Sequence, residues 1–394
     1  MNSLKFYIVG LILMAFSSVL KADREMPPLR PLSDDAYITL LTCDPGAPLY
    51  ATFGHSALCI TDPHQGIDWV FNYGTFNFNT PNFYLKFASG KLLYKLGYGS
   101  KKRFLREYQY EQRLVIEDHL NLTKYQKQKL FNYLLENYKP ENREYQYDFF
   151  FDNCATRVLD ILYESLGDSL QFIPAENPEI RTYRNLIDEY LCLSNWSDFG
   201  IDIALGSVID KPASDRGKAF LPDYLKEYLD NCIINGKPLL YDTKLAVSNS
   251  APLPKTPFLV SPQLWIWILF AFIAFLSIIW RNKAWVIADR IIFSTFGLVG
   301  IIVLLLWFAT DHDATAGNLN ILWANPLYIL YAWLIGGKRE KLLKWASFGV
   351  LMSNILVLLA WTLIPQQYHT LFIPIILALI IRSIVLTTRY WNVK

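Results

Sequence analysis

The sequence predicts an α+β extracytoplasmic domain followed by an all-α bundle of five transmembrane helices. Three observations indicate this arrangement. Residues 23–247 are polar and mixed in composition, whereas residues 263–394 consist mainly of long uncharged apolar runs. The first 22 residues have the composition of an export signal. Between these ends, short alternating segments typical of strands precede longer segments with helical periodicity.

The beginning of the chain predicts export. Lys5 precedes an uncharged apolar stretch over residues 6–20, and Lys21 follows it. Residues 1–22 therefore resemble a secretory signal peptide, and the poor small-residue cleavage site leaves an uncleaved N-terminal anchor open. In both cases residues 23–247 are exported.

The exported region contains strands first and helices later. Asp44, Pro45, Gly46 and Gly74 are turn residues that separate the strand-like runs, and Thr123 is a helix N-cap residue. Strands are predicted over residues 36–42, 55–61, 68–73, 92–98 and 113–116. Helices are predicted over residues 124–138, from Cys154 onward, over 183–192 and over 198–205.

A linker over residues 248–262, which contains four prolines, precedes the membrane half over residues 263–394. Uncharged apolar segments in this half are long enough to cross a bilayer. They cover residues 264–280, 291–310, 318–337 and 345–381, and the last is long enough for two crossings around a break at 365–369.

Loop charges predict the orientation of these helices. Lysine and arginine occur in the connections over residues 281–290 and 338–344 and in the C-terminal tail, whereas the loops around Asp311 and Tyr368 contain neither. Because basic loops stay in the cytoplasm, the loop that carries His312 lies outside, with the exported domain.

Cys154 and His55 are the candidate catalytic residues. The aromatic run 149–151 ends in Asp152 and Asn153, two N-cap residues, so Cys154 lies in the first turn of a helix. Free N–H groups and the helix dipole favour a thiolate there. His55 begins a predicted strand, a rigid position for a general base. A buried or disulfide-bonded Cys154 and a structural His55 are the alternatives.

Two residues are candidates for orienting His55. Strand alternation puts Asp68 and Asn72 on one face, and Asp68 would stabilise an imidazolium more strongly. The choice between them stays open. The backbone N–H of Cys154 is the predicted first oxyanion donor.

The sequence does not favour nucleic-acid binding or a metal site. The net charge of +2 and the absence of a basic patch argue against nucleic acid. The spacing of cysteine and histidine fits no metal site, so neither a metal nor a cofactor is expected. Pairing among the other cysteines stays open. These cysteines are Cys43, Cys59, Cys192 and Cys232.

Several short motifs occur in an order that resembles known enzymes. They are Phe53-Gly54-His55, residues 71–76, Asp152-Asn153-Cys154, Phe220-Leu221-Pro222 and residues 310–327. The histidine strand before the cysteine helix resembles the permuted branch of the papain-like NlpC/P60 superfamily. The whole set, which covers nearly the entire chain, resembles the Lnb-type lipoprotein N-acyltransferases of Gram-negative bacteria.

The resemblance implies a multi-pass enzyme of the inner (cytoplasmic) membrane with a periplasmic papain-like catalytic domain. Such an enzyme moves an acyl chain from a phospholipid through a Cys154 thioester to the α-amino group of a diacylglyceryl-cysteine lipoprotein. His55 would be the base. Contact with a substrate is expected for His312, Asn318 and Asn320. The oligomeric state stays open.

Two other functions stay open. One is an NlpC/P60-like peptidoglycan endopeptidase or amidase, although membrane helices serve no purpose in cutting the cell wall. The other is a non-enzymatic envelope scaffold in which His55 and Cys154 are structural.

Overall fold

The computed structural model of the protein describes residues 30–191, 195–253, 255–279 and 284–391. The predicted signal peptide or anchor over residues 1–22 lies outside these ranges, as does Cys192. Three helices within them are long and apolar enough to cross a membrane.

An antiparallel sheet lies at the centre of the N-terminal half. Its strands are β1 Tyr37–Cys43, β2 His55–Asp62, β3 Ile67–Thr75, β4 Leu93–Ser100, β5 Val115–Leu120, β6 Glu144–Gln146 and, late in the chain, β10 Leu240–Val247. In the described residues their order across the sheet is β10-β5-β1-β2-β3-β4-β6. A second, small sheet is formed by β7 Leu170–Phe172, β8 Cys232–Ile234 and β9 Lys237–Pro238.

Helices cover the sheet and continue beyond it. The first group is α1 Phe83–Ala88, α2 Lys101–Tyr110, α3 Lys124–Tyr138 and α4 Cys154–Leu166. The second group is α5 Tyr183–Leu191, α6 Asn195–Ala204, α7 Asp215–Lys218 and α8 Pro222–Asp230. The C-terminal group is α9 Pro262–Ile279, α10 Ala284–Ala309, α11 Tyr328–Leu334, α12 Glu340–Leu359 and α13 Phe372–Trp391.

The largest core lies between one face of the sheet and helices α3 and α4. Leu130 and Leu134 recur at helical spacing on α3, and Val158 and Leu162 do so on α4. All four side chains are fully buried, and burying each one contributes about 1.5–3 kcal/mol. The packing fixes the direction of α4 against β2, and therefore the position of its first residue.

The predicted strands and helices are confirmed, but two of them have shifted bounds. The helix predicted over 198–205 runs over Asn195–Ala204. The fifth strand runs over Val115–Leu120 rather than 113–116, because its polar residues are paired across the sheet. Thr39 donates a hydrogen bond to Glu117 over 2.9 Å, and Thr243 donates one to Asp118 over 2.5 Å. Alternation of apolar residues could not reveal buried carboxylates held in this way.

The C-terminal half is helical, as predicted, but the third predicted span is not one continuous helix. The region 318–337 contains a 3-10 turn, Leu319–Leu322, and then the seven residues of α11. Seven helical residues extend only about 10 Å. Pro326 lies between the two segments and has no N–H to donate.

The two halves are joined by hydrogen bonds from the membrane half to the C-terminal end of α6. Asn320 donates to the carbonyl oxygen of Asp202 over 2.8 Å, and Asn318 donates to that of Ile203 over 2.9 Å. Gln366 donates to the carbonyl oxygen of Leu205 over 3.2 Å. Both loops that lack basic residues therefore contact the N-terminal half.

Candidate active site

His55 is positioned by a tight backbone approach at the start of β2. Gly54 has a φ of +75°, and a Cβ at this position would lie 2.7 Å from the carbonyl oxygen of Cys43. Only glycine fits there without displacing β1. His55 itself pairs with Cys43 in the register of β1 and β2, so its backbone is part of the sheet.

Cys154 is the first residue of α4, where Asn153 caps the helix. The side-chain oxygen of Asn153 accepts hydrogen bonds from the N–H groups of Ala155 (2.8 Å) and Thr156 (3.0 Å). Its amide nitrogen donates to the carbonyl oxygens of Phe149 (2.7 Å) and Phe220 (2.8 Å). Every polar group of the Asn153 side chain is thus used to hold the helix start in place.

The thiol of Cys154 and the imidazole of His55 line the same cavity and lie close enough for each to shift the pKa of the other. Burial by itself would raise the pKa of the Cys154 thiol, but the charge and hydrogen bond of His55, together with the N–H groups of Ser56 and Ala155, lower it below its ordinary value. Burial likewise disfavours the imidazolium, but the sulfur and Asn72 raise the pKa of His55. Both shifts favour the charged forms, a thiolate and an imidazolium.

Asn72, not Asp68, is the residue hydrogen-bonded to His55. The Nε2 of His55 donates a hydrogen bond to Oδ1 of Asn72 over 2.5 Å. Asp68 pairs with Thr61 in the register of β2 and β3, and Thr61 donates a hydrogen bond to its carboxylate over 3.3 Å. Since Thr61 is six residues from His55 along the strand, about 20 Å, Asp68 lies too far away to contact His55, and Asn72 is the one of the two candidates in reach.

The remaining described cysteines differ from Cys154 in their electrostatics. Cys43, Cys59, Cys154 and Cys232 are all unpaired and buried. Burial raises the pKa of Cys43, Cys59 and Cys232 to about 12, so they are protonated and unreactive at neutral pH. No three His, Cys, Asp or Glu side chains in the described ranges are grouped as a metal site requires.

The thiol and the imidazole open into a cavity of about 690 Å³. Its volume lies within the range of small-molecule sites. Most of the side chains that line it are aromatic or aliphatic, among them Phe76, Phe87, Leu92, Phe104 and Phe149. Such a lining accommodates an apolar chain in contact with the sulfur.

Gly74 lies beside Cys154 in a backbone conformation that favours glycine. Its φ is +84°, and a Cβ placed on it would lie 3.7 Å from the Cβ of Cys154. Asn72, Gly74 and Thr75 all line the cavity. The motif at residues 71–76 therefore holds His55 through Asn72 and forms a wall of the cavity.

His312, a residue of the membrane half, also lines the cavity. It is half-buried, and its Nε2 donates a hydrogen bond to the carbonyl oxygen of Phe87 over 3.1 Å. The preceding residue, Asp311, donates its N–H to the carbonyl oxygen of Ser89 over 2.9 Å. The loop after α10 therefore closes one side of the site.

Asn318 and Asn320 do not line the site, and the expectation that they contact substrate is wrong. Both are fully buried, and their amide groups are bonded to the backbone of α6 and of their own turn. No polar atom of either side chain is left for a substrate. They hold the two halves of the protein together instead.

Comparison with protein families gives two matches. Residues 32–189 match the family model described as the Lnb N-terminal periplasmic domain. Residues 254–392 match the one described as the Lnb transmembrane domain, a unit of five transmembrane helices. No curated protein and no solved structure matches the chain.

Proposed function

Since the chain belongs to the Lnb family of membrane lipoprotein-processing enzymes, with its N-terminal domain in the periplasm, we propose that it is a lipoprotein N-acyltransferase of the inner membrane of a Gram-negative bacterium. It moves an acyl chain from a phospholipid to the α-amino group of a diacylglyceryl-cysteine lipoprotein. The observation that carries this proposal is that Cys154, at the start of a helix, and His55, held by Asn72, line one largely apolar cavity.

The first half-reaction forms a thioester on Cys154. The thiolate attacks an ester carbonyl carbon of the phospholipid, a carbon–sulfur bond forms, and the carbonyl oxygen becomes an oxyanion. When the oxyanion collapses, the bond to the glycerol oxygen breaks, and imidazolium His55 protonates the departing alkoxide. The products are an acyl-Cys154 enzyme and a lysophospholipid.

The second half-reaction transfers the chain to nitrogen. The neutral α-amino group attacks the thioester carbonyl, and His55, now neutral, accepts a proton from that nitrogen. Collapse of the second oxyanion breaks the carbon–sulfur bond and forms the amide. The thiolate leaves next to the newly formed imidazolium, so the original ion pair is restored.

Two structural features support these steps. The backbone N–H of Cys154 lies at the positive end of the 13-residue helix α4, where a developing oxyanion is stabilised. Asn72 holds the imidazole through Nε2 and leaves Nδ1 for the proton that moves to and from the reacting atoms.

Intact-mass measurement of the full-length protein purified from membranes tests the proposal. We expect wild-type protein to carry an acyl-sized adduct that hydroxylamine removes. Cys154→Ser should lack this labile adduct, whereas Cys59→Ser, a change at another buried thiol, should keep it. Release of muropeptides from peptidoglycan without any acyl adduct would instead identify a cell-wall hydrolase and overturn the proposal.

A further inference from the structure

A basic pocket lies beside the cavity that contains Cys154. It has a volume of about 250 Å³ and is lined by Lys86, Lys91 and Lys95, with Glu144 as its only acidic residue. In the ranges that the structure describes, none of these three lysines forms an ion pair with a carboxylate. Lys86 and Lys95 are half-buried. Lysines brought together in this way, without a matching number of acids, favour an anionic ligand.

The backbone holds the three lysines in a fixed arrangement. The N–H of Lys91 donates to the carbonyl oxygen of Lys86 over 2.8 Å, which ties the end of α1 to the start of β4. Lys95 lies on β4 between Thr75 and Glu144, and the hydroxyl of Thr75 donates to the Lys95 carbonyl oxygen over 2.7 Å. The pocket is therefore built by a strand, a helix end and their connection.

The lysine pocket and the Cys154 cavity lie on opposite sides of one extended segment. Along residues 90–95, Gly90, Leu92 and Tyr94 line the cavity, whereas Lys91, Leu93 and Lys95 line the pocket. Thr75 and Phe76 line both spaces. Because the two spaces share this rim, an amphiphile with its anionic group in the pocket can place its apolar chain in the cavity.

The surface around the pocket is suited to contact with a bilayer. Phe78, Tyr84, Leu85 and Phe87 have exposed fractions of 65%, 81%, 69% and 53%. The helix that carries three of them, α1, is hydrogen-bonded to Asp311 and His312. Those two residues come directly after α10, which is long and apolar enough to cross a membrane. Aromatic side chains and lysines next to the end of such a helix are suited to contact with lipid headgroups.

We propose that Lys86, Lys91 and Lys95 bind the phosphate group of the phospholipid acyl donor, with preference for a headgroup of net negative charge, while the ester of that lipid reaches Cys154. This proposal rests on the function proposed above and assigns the donor to one side of the site. The diacylglyceryl-cysteine acceptor carries no phosphate, so the basic pocket distinguishes the two substrates. The acceptor must approach the thioester from elsewhere on the cavity.

The test uses the full-length protein in vesicles of phosphatidylglycerol diluted in phosphatidylcholine, with a variant in which Lys86, Lys91 and Lys95 are all glutamine. The readout is the rate of acyl-adduct formation on Cys154 as the phosphatidylglycerol fraction increases. We expect the half-saturating fraction to rise on the order of 100-fold, since each lysine near an anionic lipid surface contributes roughly a fivefold factor. The limiting rate at saturation should change less than about twofold, because no reacting group is altered.

The matched control removes the same number of charges elsewhere. Lys102, Lys129 and Lys237 are exposed and line neither pocket, and their triple glutamine variant should retain the wild-type dependence on phosphatidylglycerol. Alkylation of Cys154 by iodoacetamide should be equally fast in all three proteins if they are folded. Identical donor dependence in both triple variants would overturn the assignment.

A binding measurement separates this proposal from the function on which it rests. Native mass spectrometry of the Cys154→Ser protein in detergent needs no turnover. We expect retained phosphatidylglycerol in that protein and its loss when the three pocket lysines are also changed. Failure of wild-type acylation with retained, lysine-dependent lipid would refute only the acyltransferase function. Displacement of the lipid by millimolar glycerol 3-phosphate, or no lysine dependence at all, would refute the lipid site.

Discussion

Replacing His55 with alanine examines the charge pairing at the centre of the site. In the wild-type protein the imidazole opposes the effect of burial and leaves the pKa of the Cys154 thiol below its ordinary value. An opposite charge in contact lowers the pKa of an acid by roughly 1–3 units. Without it, the pKa of Cys154 should rise, and the thiolate fraction at neutral pH should fall about 10- to 1000-fold.

Two other buried cysteines indicate how far the pKa of Cys154 can rise in the absence of the imidazole. Cys43 and Cys59 are buried without an imidazole partner, and the pKa of each is about 12. Cys154 in the His55→Ala protein keeps its hydrogen bonds from the N–H groups of Ser56 and Ala155. Its pKa should therefore approach the value of the other two thiols without reaching it.

The assay is the rate at which iodoacetamide alkylates the detergent-solubilised protein from acidic to alkaline pH, with peptide mass spectrometry to assign the label. The pH profile for Cys154 should move to higher pH in His55→Ala. His64→Ala is the control, because the exposed imidazole of His64 pairs with Asp35 and does not line the Cys154 cavity. Superimposable profiles for Cys154 in the two variants would refute the proposed thiolate–imidazolium pair.

Three further predictions concern residues around the site and within the membrane half. Asn72→Ala removes the partner of the His55 Nε2, so kcat should fall about 10- to 100-fold with little change in KM. Asn72→Asp should instead raise the pKa of His55 further and extend the alkaline limb of the profile of kcat against pH. Equal profiles for the two variants would contradict this role of Asn72. Asn320→Ala leaves the Asp202 carbonyl and the Trp323 indole without their buried partner, so the unfolding free energy in detergent should decrease by about 1–3 kcal/mol. An unchanged value would argue that these hydrogen bonds do not hold the two halves together. Arg382→Leu leaves the carboxylate of Asp289 buried and unpaired, so the free energy of unfolding should decrease by about 3–5 kcal/mol. The double variant with Asp289→Leu should recover most of that stability in thermal unfolding. A double variant as unstable as the single one would exclude charge pairing as the cause.

The helix start at Cys154 could be located from the sequence because its position depends on local interactions. Asn153 caps the helix through N–H groups two and three residues later, and the apolar periodicity of Val158 and Leu162 then determines which face is buried. All of these interactions lie within one helical turn or two. The start of α4 is therefore visible to anyone who reads residues 149–162.

The partner of His55 could not be chosen in the same way. Asp68 and Asn72 share one alternation phase, and a carboxylate is the stronger partner for an imidazolium in isolation. The pairing of Leu58 with Phe71 decides the matter, because it brings Asn72 near the start of β2 and leaves Asp68 at the other end. Strand register is a relation between two segments, and neither segment encodes it alone.

The sequence by itself determined the division into an exported α+β half and a helical membrane half, the helix that begins at Cys154 and the strand that begins at His55. Hydropathy, loop charge and helix capping are properties of adjacent residues, which explains why they could be read directly. Only the tertiary structure decided that Asn72 is bonded to His55, that Asn318 and Asn320 join the two halves, and that three lysines from a helix end and a strand share one pocket. Those assignments depend on which distant segments meet in space, because a polar side chain takes its role from the partner that burial leaves within reach.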